Sequence, residues 1–148
     1  MRVSKAIYFL IFALGGSIVP FISLFFQQHG LKKDEIGYIY SVAAIAVVLS
    51  PILLTYLADS RIDARKILAG AMTIAAAALA VLYMTNGFLA TLLIYTIHYL
   101  AYIPLSTLTD GITFGVMKRR EEQGLPVTPY HRVRVWGSLG FMLPSVIL

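Results

Sequence analysis

The residues able to do chemistry in this chain are few, and they sit in apolar surroundings where a charge is costly. Arg134, Ser138 and Phe141 recur at i, i+4 and i+7, which stacks a guanidinium fork, a hydroxyl and an aromatic ring on one helix face. Gly137 and Gly140 beside them let another helix come close. Such a face suits a polar, ring-bearing solute, although Arg134 alone also fits a cation snorkelling at a membrane edge. Asp110 is expected near the cytoplasmic edge of the apolar core, at the depth of Arg134, with which it would pair. A latch to Arg61 or Arg65 of the neighbouring inner loop is the second possibility, and a solvated interfacial charge the plain one.

His98 lies mid-span, with Tyr102 and Thr109 about 40° and 20° off its face at roughly 100° per residue. It serves either as a proton relay, because histidine titrates near neutral pH, or as a neutral partner to the next helix, the commoner fate. No metal site accompanies it, since a second ligand at suitable spacing is missing. Asp59, in Tyr56-Leu57-Ala58-Asp59-Ser60-Arg61 with Arg65-Lys66 beyond, offers a carboxylate among basic residues that would lock helix ends together. An unpaired loop charge is the alternative.

The elements holding these residues follow from where charge is absent. Hydrophobic residues make up 59% of the 148 and charged ones 13%, against about 45–50% and 25% in soluble domains. Three stretches carry no charge: Ala6 to Phe26 (21 residues), Ile36 to Ala58 (23) and Ile67 to Thr109 (43). About 20 apolar residues cross a hydrocarbon core of about 30 Å. The first two stretches therefore supply one span each, and the third supplies two, turning at Thr85-Asn86-Gly87. Spans are expected over 5–26, 36–56, 66–84 and 88–117, and 130–148 reads as a fifth, interrupted one. The chain is thus expected to be an all-α membrane protein and a fragment. Spans 1 and 4 are broken within their apolar cores, by Gly15-Gly16 with Pro20 and by Pro104. Paired interruptions of this kind mark either a transporter binding site or packing kinks. The first span exceeds a signal peptide's 7–15-residue core, and a cleavage motif is missing.

Charge also orients the chain. With segments assigned alternately, one side holds Arg2, Lys5, Arg61, Arg65, Lys66, Lys118, Arg119, Arg120 and Arg132. The other holds Lys32 and Lys33, offset by Asp34 and Glu35. Short basic loops stay cytoplasmic, so the N terminus is expected inside. The net charge of +5 then reflects topology and anionic headgroups rather than nucleic acid. With no cysteine, phosphate loop, H-E-x-x-H or G-x-S-x-G, the sequence carries no sign of an enzyme.

Several segments resemble the major facilitator superfamily. Leu57-Ala58-Asp59 with Arg65-Lys66 is similar to its loop between helices 2 and 3, G-x-L-A-D-R-x-G-R-R/K, though Thr55 replaces the leading glycine and Asp63-Ala64 alters the spacing. Val133-Arg134-Val135-Trp136-Gly137-Ser138-Leu139-Gly140-Phe141 resembles the helix 5 opening I-R-I-W-G-T-I-G-F of its nucleoside:proton symporter family. Ala101-Tyr102-Ile103-Pro104 is similar to that family's Ala-Tyr-x-Pro element in helix 4, and Ile36-Gly37 with Tyr40-Ser41 to its span 2 start. The resemblance implies the N-terminal part of a twelve-helix transporter. It further implies nucleoside:proton symport across the inner membrane by alternating access, driven by the proton gradient without a cofactor. Arg134, Ser138 and Phe141 would face the solute, and the partners would be the lipid bilayer and the missing C-terminal helices. Ser138 keeps the hydroxyl of the family's threonine, whereas Asp110 stands near the family's asparagine. Sugar or aromatic-acid permeases, and a small non-transporting scaffold subunit, are the alternatives.

Overall fold

Long apolar runs leave the backbone one way to satisfy its own N–H and C=O groups away from water, which is the helix. A computed structural model describes residues 1–59 and 62–147, with the side chains at 51, 54, 55 and 57–59 outside the description. Helices dominate it: α1 (Arg2–Ile18), α2 (Ile22–Gln28), α3 (Lys33–Asp59), α4 (Ala64–Tyr83), α5 (Phe88–Tyr102), α6 (Pro104–Glu122) and α7 (Tyr130–Ile147). Among the described residues there is no strand. By length and composition, Ala64–Tyr83 and Phe88–Glu122 can each cross a membrane, and α1 with α2, bent by 41°, makes a third such element. At 27 residues, α3 is about 40 Å long at 1.5 Å per residue.

Both interruptions seen in the sequence become helix breaks. Pro20 has no N–H to continue α1, which ends at Ile18 before α2 resumes at Ile22. Ile103 bonds the Tyr99 carbonyl at 3.0 Å, and Pro104 then opens α6 at a first-turn position that suits proline. Further on, α6 outruns the expected limit of 117 and reaches Glu122. Arg119 and Arg120 in its last turn meet the negative end of the helix dipole. Its end is closed by Leu125 N–H on the Arg120 carbonyl (2.9 Å) and Gly124 N–H on that of Glu121 (3.0 Å). At the other terminus type, Asp63 caps α4, its Oδ1 accepting from the Arg65 N–H at 2.8 Å.

The chain divides near these breaks into two compact units. The first comprises Met1–Ile22 and the chain from Ser106, that is α1, α6 from its third residue and α7. There α7 packs lengthwise on α1. A Cβ at Gly16 would overlap the Phe141 backbone carbonyl, and one at Gly140 would overlap that of Phe9. Only glycine lets the two backbones come this close. The second unit, Ser23–Leu105, packs α5 against α3 and α4. Its core holds an aromatic cluster in which Phe26 meets Tyr95 edge-on at 5.2 Å and Tyr40 lies 6.0 Å from Tyr95.

Candidate functional site

The first unit gathers Arg134, Ser138, Phe141 and Asp110. On α7, Val133, Gly137 and Gly140 are buried. At 100° per residue, Arg134, Ser138 and Phe141 share a stripe about 100° round the helix from them. Ser138 is exposed and Phe141 is 39% exposed, so this stripe is open within the chain. Arg134 folds back from it toward α1, which lies alongside. Its guanidinium carbon rests 4.5 Å from the Phe12 ring centroid and 5.2 Å from that of Tyr8. Both are cation–π distances. One guanidinium nitrogen, Nη1, is buried with no hydrogen-bond partner among the described residues. A buried donor without an acceptor is costly, and Arg134 therefore offers an unused bond to an incoming acceptor.

Asp110 lies on α6, whose course brings it opposite both other helices of the unit. Its Oδ1 accepts two hydroxyl hydrogen bonds, one from Tyr8 of α1 and one from Tyr130 of α7 at 2.8 Å. Phe114, one turn further along α6, stacks on the Tyr130 ring at 4.7 Å and fixes its direction. Thr113, 1% exposed, places its hydroxyl beside the Tyr8 phenol. The expected direct pair of Asp110 with Arg134 is not formed here. Tyr8 stands between them, giving its hydroxyl to the carboxylate and its ring face to the guanidinium. Neutral donors satisfy the anion, and aromatic faces satisfy the cation.

The remaining predicted residues lie elsewhere. Arg65 belongs to the second unit, its side chain exposed at the start of α4. Asp59 closes α3 with its side chain outside the described residues, and Arg61 lies outside them altogether. The latch of Asp110 to Arg61 or Arg65, and the lock of helix ends by Asp59, therefore stay expectations. His98, 3% exposed, places Nδ1 at 3.0 Å from the Ala75 carbonyl of α4. Because a carbonyl can only accept, Nδ1 carries the proton, and the ring stacks on Tyr102 at 5.7 Å and 18°. The histidine thus joins α5 to α4.

Tyr8, Phe12 and Tyr130 went unnoticed in the sequence. The one signal was the lone tyrosine of the apolar first span; its partner lies 102 residues away.

Residues 2–148 match the MFS_1 like family. The chain belongs to that family. Within it, YegT of Escherichia coli (strain K12), a candidate nucleoside transporter, is 33% identical over 136 residues, 88% of this chain and 29% of the relative. The nucleoside permease NupG of Escherichia coli (strain K12) is 31% identical over 141 residues, 94% of this chain and 33% of that protein. A crystal structure of a mutant of the nucleoside transporter NupG matches with a TM-score of 0.84 and 30% identity, covering 97% of this chain and 36% of that one. The chain thus spans about a third of the length of these relatives. Its MFS_1-like architecture is the all-helical one of a membrane transport protein, and its relatives are permeases and transporters rather than enzymes.

Proposed function

We propose that this chain forms the N-terminal part of a nucleoside:proton symporter of the inner membrane, working by alternating access. The observation that carries the reading is the likeness in fold and sequence to the nucleoside transporter NupG. It is supported by the open stripe on α7, which shows a hydroxyl and an aromatic ring, and by the guanidinium of Arg134, which starts from that stripe and rests on α1 with an unused donor. In this reading Arg134 bonds a base or ribose oxygen, Ser138 adds a donor–acceptor, and Phe141 stacks on the ring. The N terminus lies in the cytoplasm, as the basic residues of the inner loops require. Further helices beyond those described complete the cavity, and the proton gradient drives accumulation without a cofactor. Asp59, Arg61 and Arg65 belong to the inner-loop gate.

Sugars or aromatic acids are the second reading. Asp110 favours it, because this acidic residue of α6 stands near a position where the resemblance to the nucleoside:proton symporter family implies asparagine.

The test is labelled uridine uptake by the full-length protein in cells lacking their own nucleoside uptake, at acid and neutral pH. Accumulation that is stronger at acid pH and abolished by a protonophore is expected. No uptake despite verified membrane expression would sink the nucleoside reading and shift it to the second.

A further inference from the structure

A carboxylate within a membrane protein is ordinarily held ionised by a cation. Asp110 is not: its hydrogen-bond partners among the described residues are two neutral phenols from two different helices, and both donate to the same oxygen, Oδ1. Oδ2 is left outside this arrangement. A proton arriving at Oδ2 converts the carboxylate to a carboxylic acid without breaking either phenol bond, because Oδ1 still accepts both. The cation that would compete with that proton is one ring away. Arg134 rests on the Tyr8 face with Nη1 buried and unbonded.

The other charged or titratable groups of the unit point away. Lys5 of α1 directs its ammonium over Trp136 at 5.9 Å, and His131 and Arg132 of α7 are exposed. On α6, the basic run Lys118 to Arg120 begins about 12 Å further along the helix at 1.5 Å per residue. The groups facing Asp110 are therefore Tyr8 from α1 and Tyr130 from α7, with Arg134 of α7 behind Tyr8.

We propose that Asp110 is a proton-binding site that competes with the transported solute for Arg134. When Oδ2 carries the proton, the neutral acid makes no claim on Arg134, whose unbonded donor is left to turn toward a solute oxygen. When the proton leaves, the carboxylate draws the guanidinium off the Tyr8 ring, and the solute loses its bond. Proton and solute then bind together and leave together, which is symport expressed as competition for one side chain. The solute half of this inference rests on the reading of the α7 stripe given above, and the proton half does not.

Two measurements on the purified full-length protein separate them. A pH titration followed by difference infrared spectroscopy should show a carboxylic-acid carbonyl band growing as pH falls, absent in Asp110→Asn. This arm needs no solute, so it stands even if uridine is not transported. A titration in which Asp110→Asn and the parent protein give the same bands overturns the proposal. In the second arm, uridine affinity should rise as that band grows in the parent protein and be flat with pH in Asp110→Asn. If Asp110→Asn fails to fold, Tyr130→Phe removes one donor to the ionised form. It should move both curves toward higher pH, because the ionised form loses a hydrogen bond. Curves that do not move overturn the arrangement. An infrared band that behaves as expected, with uridine binding absent, would leave the proton site standing and remove the nucleoside reading alone.

Discussion

Replacing Gly16 with alanine tests how the first unit is held together. The added methyl would meet the Phe141 carbonyl, which belongs to the backbone of α7 and cannot turn aside as a side-chain tip would. Relief requires α1 and α7 to move apart, which also opens the second close approach at Gly140 and Phe9. Overpacking costs about 1–3 kcal/mol, and a backbone obstacle belongs at the upper end. Against this, exchanging glycine for alanine inside a helix returns up to about 1 kcal/mol. The net loss is then about 2 kcal/mol. Gly70 in α4 is the internal control, since a Cβ there meets nothing within 4 Å. Gly70→Ala should gain up to about 1 kcal/mol, which sets the two variants about 3 kcal/mol apart. Equilibrium unfolding of the full-length protein in detergent, followed by tryptophan fluorescence, reads this difference directly. Equal stability of Gly16→Ala and Gly70→Ala would refute the close approach of α1 and α7.

Arg134→Lys should reduce transport by roughly tenfold while membrane expression holds, because lysine lacks the planar fork and stacks less well on Phe12 and Tyr8. Parallel loss of transport and folded protein would assign Arg134 to packing instead. His98→Gln should cost about 1 kcal/mol of stability through the lost bond to Ala75 yet leave the pH profile of transport unchanged. A flattened profile would restore the proton relay. Asp63→Ala removes the cap of α4 and should cost about 1 kcal/mol, seen as faster amide exchange at residues 64–67, with Asp63→Asn close to the parent protein. Unchanged exchange in Asp63→Ala would show that the cap contributes nothing.

The helices were largely legible because lipid imposes a simple code: apolar runs of fixed length, with charge confined to their ends. Pro20 and Pro104 marked the breaks for a local reason, the missing N–H. The stripe of Arg134, Ser138 and Phe141 was equally local, since one helix sets its spacing. What could not be read was any pairing between helices far apart in sequence. Depth along the membrane suggested that Asp110 and Arg134 would meet, but depth does not reveal what stands between them. Tyr8 does so only because α7 lies along α1, and that contact depends on Gly16 and Gly140, which in sequence look like ordinary small residues. The end of α6 was placed too early because the basic run Lys118 to Arg120 reads as loop, whereas at a helix C-terminus those charges prolong it.

The partnership of α1 with α7 also sets a timetable. The first helix is complete at Ile18 and its partner only at Ile147, about 130 residues later. At about 5–20 residues per second, the ribosome takes roughly 6 to 26 s to make the difference. Throughout that interval the bare glycine face of α1 has no mate in the nascent chain, and the Tyr8 hydroxyl has none until Asp110 is made. The insertion machinery or surrounding lipid must shelter them until α7 arrives. Birth order thus makes α1 the longest-waiting element of this chain, and mistakes in biogenesis should fall first on the helix that was made first.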